Sequence, residues 1–344
     1  MESVRKRNEY SRHWEEGGKA LVDDEDARDL RKSKYSDVVN DYYNATTDIY
    51  LESWGQSFHM ARYPLGPEPK DRATARHEHY LALMMSMRPG MRILDVGCGV
   101  GGPAKEIATF VDCHVVGINN NGYQVHKAQA LAKDDGSDNK VEFVQADFVN
   151  IPFPDDSFDA IYAIEATVHA PELSEVYKEI FRVLKPGGTF GVYEWLLTDA
   201  FSPNDKSHMA IRLGIERGTG VPSLQTKVAA REAMNRAGFK LEYVEDLAER
   251  QDPLMWWYPI SGDLASAKGL RDWVLVARNT RWGRVVVRAI VRALEFVKYA
   301  PKGTTNITEE LIIAGDSLVA GGKAGIFTPM YLMIGKKVLE EQMP

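Results

Sequence analysis

Apolar and polar positions alternate in blocks through the middle of the chain. Ile93 to Val96, His114 to Ile118, Val141 to Phe148, Phe158 to Glu165 and Thr189 to Trp195 read as five strands. A helix is expected from near Gly102-Pro103, where proline suits a first helical turn. A second runs from Val176 to Leu184 and is stopped by Lys185-Pro186-Gly187-Gly188. Strands separated by short helices predict an α/β fold with a mainly parallel sheet. Downstream, Ala229 to Ala237 reads as helix, Phe239 to Val244 as strand and Phe327 to Ile334 as a last strand; Trp256 to Pro259 lies in a less regular region.

The flanks differ in character. Residues 1–35 are polar, with Glu15-Glu16, Asp23 to Asp26, Arg28 and Arg31-Lys32, and predict an exposed helix or a partly disordered arm. From Tyr35 to Ala61, Val38, Val39, Tyr42, Tyr43, Ile49 and Tyr50 recur at helical spacing. Tyr50 to His59 then concentrates aromatic and polar groups around a glycine, either as a helix end packed on the core or as an aromatic pocket wall. Arg281 to Lys298 is amphipathic: Arg284, Arg288 and Arg292 share one face, and Val286, Ile290, Ala293 and Val297 another. Its pattern predicts a docked helix with a solvated basic face, or a basic surface helix near anionic lipid.

Composition adds exclusions. The 344 residues carry a net charge of −7, which argues against a general nucleic-acid surface. Two cysteines, Cys98 and Cys113, make no disulfide framework and no metal-ligand spacing, and fit a reducing cytosolic setting. The charged N-terminus has no signal-peptide core, and no apolar run is long enough to span a bilayer, so membrane contact is expected to be peripheral.

The candidate chemistry gathers at strand ends. Asp95-Val96-Gly97-Cys98-Gly99-Val100-Gly101 is a glycine turn that lets a nucleotide-like cofactor approach the main chain. Asn119 and Asn120, about 20 positions beyond the turn, are placed to bind ribose hydroxyls. Their amide character disfavours a standard nicotinamide dehydrogenase. Asp147 is placed to accept from an exocyclic amine, or to be an ordinary turn residue. Glu165 and His169 arrive at the carboxyl end of the fourth strand, where open α/β sheets bind ligands. His77-Glu78-His79 is not a zinc motif, because histidines two apart point to different helix faces.

Asp95 with its glycine turn, the polar end of strand two, Ala146-Asp147-Phe148 and Leu184-Lys185-Pro186-Gly187-Gly188-Thr189 occur in the order found in class I S-adenosylmethionine-dependent methyltransferases, which the chain resembles. The resemblance narrows at Tyr50 to His59, Arg76 to Leu81, Asp95 to Pro103, Gly117 to Asn121, Tyr162 to Ala166, His169-Ala170-Pro171, Tyr193-Glu194-Trp195, Leu318 to Lys323 and Phe327 to Met330, which look like the sterol 24-C-methyltransferases. It runs from about Asp41 to about Lys337.

The resemblance implies a Rossmann-like fold with a seven-stranded, mostly parallel sheet, its last strand antiparallel, helices on both faces and a C-terminal sterol-associated α+β region. The implied division is a polar arm at 1–40, a helical substrate-binding cap at 41–90, a cofactor-binding core at 91–210 and the C-terminal region at 211–344. The implied reaction is methyl transfer from S-adenosylmethionine, without a metal, to the side-chain alkene at carbon 24 of a sterol, through a carbocation. Implied catalytic residues are Tyr50, His77, Glu78, Glu165 and His169. Trp54, Phe58, His59, Tyr193 and Trp195 would bind the sterol. Asp95, Gly97, Cys98, Gly99, Gly101, Asn119, Asn120, Gln124, Ala146, Asp147, Phe148 and Glu165 would hold the cofactor.

The implied setting is cytoplasmic, peripheral to endoplasmic reticulum or lipid droplets, with room for a homo-oligomer. The chain departs from the family's Tyr-Glu-Tyr-Gly-Trp-Gly: here Tyr50-Leu51-Glu52-Ser53-Trp54-Gly55 displaces the acid by one residue, about 100° around a helix. That leaves open another triterpenoid or prenyl lipid as substrate, or a lipid-binding paralogue without chemistry.

Overall fold

The computed structural model describes residues 10–16, 19–20, 23–267, 270–300 and 303–338. Its centre is an eight-stranded sheet. Seven strands carry it: β1 (Arg92–Val96), β2 (His114–Asn119), β3 (Val141–Gln145), β4 (Phe158–Ile164), β5 (Leu184–Leu197), β6 (Lys240–Asp246) and β7 (Phe327–Lys336), in the spatial order 3-2-1-4-5-7-6. The eighth piece, Gln225–Thr226, pairs with the end of β5. β1 to β5 are parallel; β7 runs antiparallel to β5 and β6, with Leu332 opposite both Tyr193 and Glu245. The chain after residue 211 therefore completes the central sheet.

Side chains alternate between faces, as the pleat requires. Ile93, Val115, Ala160, Tyr193 and Leu332 face one core with helices α3 (Lys70–Met84), α4 (Gly102–Val111) and α5 (Gly122–Asp135). Leu94, Val116, Ile161, Val192 and Met333 face the other, against α6 (Leu173–Val183) and α8 (Lys227–Arg236). Strand and helix placement follows the sequence pattern closely; β3 ends at Gln145, three residues short of Phe148, α6 begins three residues before Val176, and the largest shift is at β5. β5 begins at Leu184, five residues before Thr189, because Leu184 pairs with Phe158 and the Gly187 amide donates to the Lys337 carbonyl.

The N-terminal segment differs more from expectation. Residues 1–9 of the predicted arm lie outside the described residues. Tyr10, Trp14 and Arg31 are buried. Arg31 sits on helix α1 (Glu25–Ser33), stacks on Trp14, pairs with Asp23 and Glu216, and donates to the Pro222 carbonyl. A charge buried through several partners reads as solvated in sequence, which is why this stretch looked like an exposed arm.

Helix α2 (Tyr35–Trp54) crosses the carboxyl edge of the sheet. Its polar side chains bind the loops there: Asn44 to Asn121, Thr47 to Gln124 and Asp48 to Tyr123. Three C-terminal helices, α9 (Leu270–Ala277), α10 (Arg281–Phe296) and α11 (Thr304–Ala324), follow β6; α11 packs along α7 (Lys206–Thr219). α7 and most of α11 had no expectation in the sequence pattern.

Candidate functional site

Two cavities meet beneath α2. The smaller is lined by the β1 turn (Gly97 to Val100), by Asn119, Asn120 and Gln124 at the end of β2, by Phe148, and by Tyr43, Phe58, His59, Glu165 and His169. The larger has a volume of about 900 Å³ and is walled mainly by apolar groups. Trp54, Met60, Trp195, Val287, Val291, Leu294, Leu311 and Leu318 belong to it, with Tyr50 near the junction. That is the upper end of ordinary ligand-site volumes. Phe58 lines both cavities.

The glycine turn makes the first cavity. Gly97 has φ +80°, and a Cβ there would lie 2.4 Å from Ala166 Cβ, so only glycine fits. Cys98 and Gly99 line the cavity. Gly101 and Asp95 support the turn from behind: Gly101, at φ +84°, lies against Phe143, and Asp95 is buried beside Tyr162, its carboxyl pushed up by burial to about 7. Asn119 donates to Gln124, which donates to Thr47. Phe148 lines the cavity; its neighbour Asp147 accepts from the Tyr35 hydroxyl, and Ala146 is not among the lining residues.

Glu165 stands at the junction. It follows β4, takes a left-handed backbone (φ +54°) unusual for a residue with a Cβ, and is 7% exposed. Oε1 accepts from the Met60 amide at 2.8 Å, while Oε2 is buried with no hydrogen-bond partner among the described residues. Burial raises its pKa to about 7, against the lowering influence of His59, the Met60 amide, the Trp195 indole N–H, which is near but makes no hydrogen bond among the described residues, and Lys70. A strained, buried carboxylate with a free oxygen at a cavity fits a cationic ligand group.

Around it runs a polar cluster. Glu78 on α3 accepts from Ser57 and meets His59 Nε2, both at 2.8 Å; His59 Nδ1 lies 2.8 Å from the Met60 carbonyl. Both His59 nitrogens thus face acceptors, so both are committed to hydrogen bonds and His59 is no free base. Lys70 donates to the Trp54 and Ser57 carbonyls and sits 4.6 Å from the Trp54 ring centroid. It fastens the loop that carries Trp54 to His59; no sequence pattern marks this lysine.

The structure brings together Tyr50, Trp54, Phe58, His59, Trp195, Glu165 and His169. It places His77 and Tyr193 in the core, stacked at 3.9 Å and lining neither cavity. His79 points away, to Glu106 and Phe110. Glu194 is buried under Thr167 and Tyr177. Glu52 is exposed at the rim of the large cavity. Tyr43 was missed as a site residue, although its spacing to Tyr50 puts both on one face of α2. Among the described residues no three His, Cys, Asp or Glu side chains are grouped to hold a metal ion.

Helix α10 reverses the expected orientation. Arg284 pairs with Asp316 and Arg288 with Glu309 on α11, so those arginines face protein. The apolar side is the outer one: Val285, Val286, Ile290 and Val297 are exposed, Trp282 is 80% exposed and Phe296 88%. The inner residues Val287, Val291 and Leu294 wall the large cavity, which explains why the helix needs two apolar stripes. No helix among the described residues is long and apolar enough to cross a membrane.

Comparisons with known proteins agree with this layout. A family model described as a methyltransferase domain matches residues 94–192, and one described as sterol methyltransferase C-terminal matches residues 274–338. The sterol 24-C-methyltransferase of Aspergillus fumigatus is 50% identical over 331 residues, 96% of this chain and 87% of that protein. That of Yarrowia lipolytica is 47% identical over 95% of this chain and 86% of its own. Among solved structures, the geranyl diphosphate C-methyltransferase of Streptomyces coelicolor has a TM-score of 0.61 at 16% identity, covering 88% of this chain and 98% of that one. A Haemonchus contortus phosphoethanolamine N-methyltransferase scores 0.60 at 17% identity, covering 89% and 60%. At such identities these two speak for the fold alone.

Proposed function

The chain belongs to the sterol 24-C-methyltransferase family, and from that premise we propose that it methylates the side-chain alkene of a sterol at carbon 24, with the reacting atoms meeting beside Glu165. It is an S-adenosylmethionine-dependent methyltransferase. The observation that carries the reading is the unpartnered Glu165 Oε2 at the junction of a nucleotide-type cavity and an apolar cavity large enough for a sterol.

The cofactor supplies an electrophilic methyl group on a sulfonium. The turn at Gly97 to Gly99 would hold its methionine part, Asn119, Asn120 and Gln124 its ribose, and Phe148 the face of its adenine. Glu165 balances positive charge without a metal. The sterol lies in the larger cavity, where burial of apolar area drives binding at roughly 25 cal/mol per Å².

The alkene attacks without a base. Positive charge then sits on the side chain, among Tyr50, Trp54, Phe58 and Trp195. Aromatic faces stabilise it by about 0.5–2 kcal/mol each and do not trap it covalently, as a carboxylate in contact would by forming an ester. A proton must finally leave. His59 is occupied on both nitrogens, so Glu165, with one free oxygen and a pKa near neutrality, is the group able to accept it. His77, Tyr193 and Glu194 brace this wall from behind.

Purified protein incubated with labelled S-adenosylmethionine and a panel of sterols, triterpenes and prenyl lipids is expected to give a side-chain-methylated sterol by mass spectrometry. Label transfer to prenyl lipids alone, or cofactor binding with no product, would overturn the sterol reading.

Delivery of a water-insoluble substrate fits peripheral lipid contact, through the outer apolar face of α10 and Tyr299, with Arg281, Arg292 and Lys298 exposed beside it for anionic headgroups. Burying one large ring contributes roughly 2–3 kcal/mol. Trp282→Glu or Phe296→Glu is therefore expected to weaken co-sedimentation with anionic vesicles by about tenfold or more. Unchanged sedimentation would reject this face.

A further inference from the structure

The carboxyl end of α7 is buried beside the two cavities. The last carbonyls of a helix have no partner within it and must find donors elsewhere. Here they find aromatic side chains from two other elements. The Arg217 carbonyl accepts from the Tyr10 hydroxyl, and the Gly218 carbonyl accepts from the Tyr42 hydroxyl at 3.0 Å. Just beyond the helix, the Gly220 carbonyl accepts from His169 Nδ1 at 3.1 Å.

A carbonyl only accepts, so these contacts fix where the protons point. Tyr42 has one hydroxyl proton, and Gly218 takes it. The Tyr50 hydroxyl, 2.6 Å from the Tyr42 oxygen, must then be the donor in that bond. Its lone pairs are left for the large cavity, which Tyr50 lines. The second chain has the same logic. His169 carries its proton on Nδ1; burial lowers its pKa to about 4, so Nε2 is an acceptor. Tyr43, with its hydroxyl 3.1 Å from Nε2, donates there and turns its own lone pairs to the smaller cavity, which it lines. Tyr42 lines neither cavity.

We propose that Tyr42 and His169 are positioning residues that lock the phenols of Tyr50 and Tyr43 with oxygen lone pairs facing the two cavities, anchored on the carbonyls at the end of α7. Positive charge passing from the smaller cavity to the larger meets a fixed acceptor dipole in each. A hydroxyl free to rotate would have to reorient first, so preorganisation is the gain. Chained donors also polarise one another, which strengthens the acceptor at the cavity end. Burial raises the pKa of both phenols, so they stay neutral and do not capture the cation as phenolates would.

The inference rests on the sulfonium-to-alkene reading, and its two arms separate the failure of each. In the first arm, turnover on sterol is measured for Tyr42→Phe, Tyr50→Phe and the double variant. Tyr42→Phe keeps the ring, so the fold is retained. It is expected to lower kcat about 5–10-fold with sterol KM within twofold, and to add nothing in the Tyr50→Phe background. Equal losses in both backgrounds, or no loss, would overturn the relay. The second arm needs no sterol. Affinities for S-adenosylmethionine and the neutral S-adenosylhomocysteine are compared in Tyr43→Phe, His169→Phe and their double. Each single variant is expected to reduce the preference for the cation about 3–10-fold, without additivity. An unchanged ratio would overturn the His169 chain even if sterol proved to be the wrong substrate.

Discussion

Glu165→Gln is expected to cut turnover by roughly 100-fold or more while the fold and the sterol affinity persist. Removal of one preorganised group that balances transition-state charge costs on this order. Glutamine keeps the size and can still accept from the Met60 amide, so the loop at Met60 stays in place. It cannot hold negative charge or take a proton. Turnover of the variant within about threefold of the parent protein would remove Glu165 from the reacting centre.

The same substitution has a distinct signature in pH. Burial holds the folded Glu165 carboxyl at about 7, above its ordinary 4.5. Between those values the folded protein keeps a proton that the unfolded chain has lost, so this group makes stability fall as pH rises from about 4.5 to about 7. A sulfonium reverses the effect, because opposite charge favours the ionised form. Cofactor affinity should therefore tighten as pH rises through about 7, and Glu165→Gln should flatten that dependence. Without cofactor, the variant should match the parent in Tm at pH 5 and exceed it at pH 8. Calorimetry and titration at the two pH values check both. A carboxylate that stabilised the empty protein would give the opposite order at pH 8.

Much of this arrangement was legible in sequence because it depends on local pattern. Short apolar runs that end at polar or glycine residues identify β1 to β5, and glycine at 97 follows from a turn that no Cβ can enter. Burial through pairing was not legible. Arg31 reads as a surface charge, yet Trp14, Asp23 and Glu216 enclose it. Helix α10 shows a different limit. Its two stripes, arginine and apolar, are plain in the sequence, but periodicity does not say which one faces the protein. The acids Glu309 and Asp316, which lie on another helix, decide it. The site divides in the same way. Residues at strand ends could be found from topology, whereas Lys70 acts by folding back on the loop before its helix and Tyr42 by reaching Gly218, far along the chain, and neither contact leaves a periodic mark. His77 and Glu78 are adjacent in sequence and both lie against His59, which lines a cavity, but of the two it is Glu78 that hydrogen-bonds it; the His77 ring is only a neighbour at 5.9 Å.

That contact supports the second large prediction. Glu78→Ala is expected to destabilise the protein by about 3–5 kcal/mol, the usual cost when one partner of a buried pair is removed. The variant would leave the buried His59 Nε2 and the half-buried Ser57 hydroxyl without their acceptor. On the order of 5–15 °C in Tm should follow. The loss should also reach function, since Phe58 and His59 wall the cofactor cavity, and cofactor affinity should weaken with the loop. Its dependence on pH separates a charge pair from mere packing. Burial lowers the pKa of His59, but its hydrogen bond to Glu78 and the charges of Glu78 and Glu165 outweigh that, and the net shift is upward from 6.5. A raised histidine contributes stability that is complete below 6.5 and is lost as pH rises through the folded value. The difference in Tm between the parent and Glu78→Ala should therefore be widest near pH 6 and narrow in alkaline solution. Glu78→Gln, which keeps an acceptor but no charge, should recover part of the stability and little of the pH dependence. A gap of equal size at every pH would mean that Glu78 acts as a neutral hydrogen-bond acceptor, and that the cavity wall is held without an imidazolium.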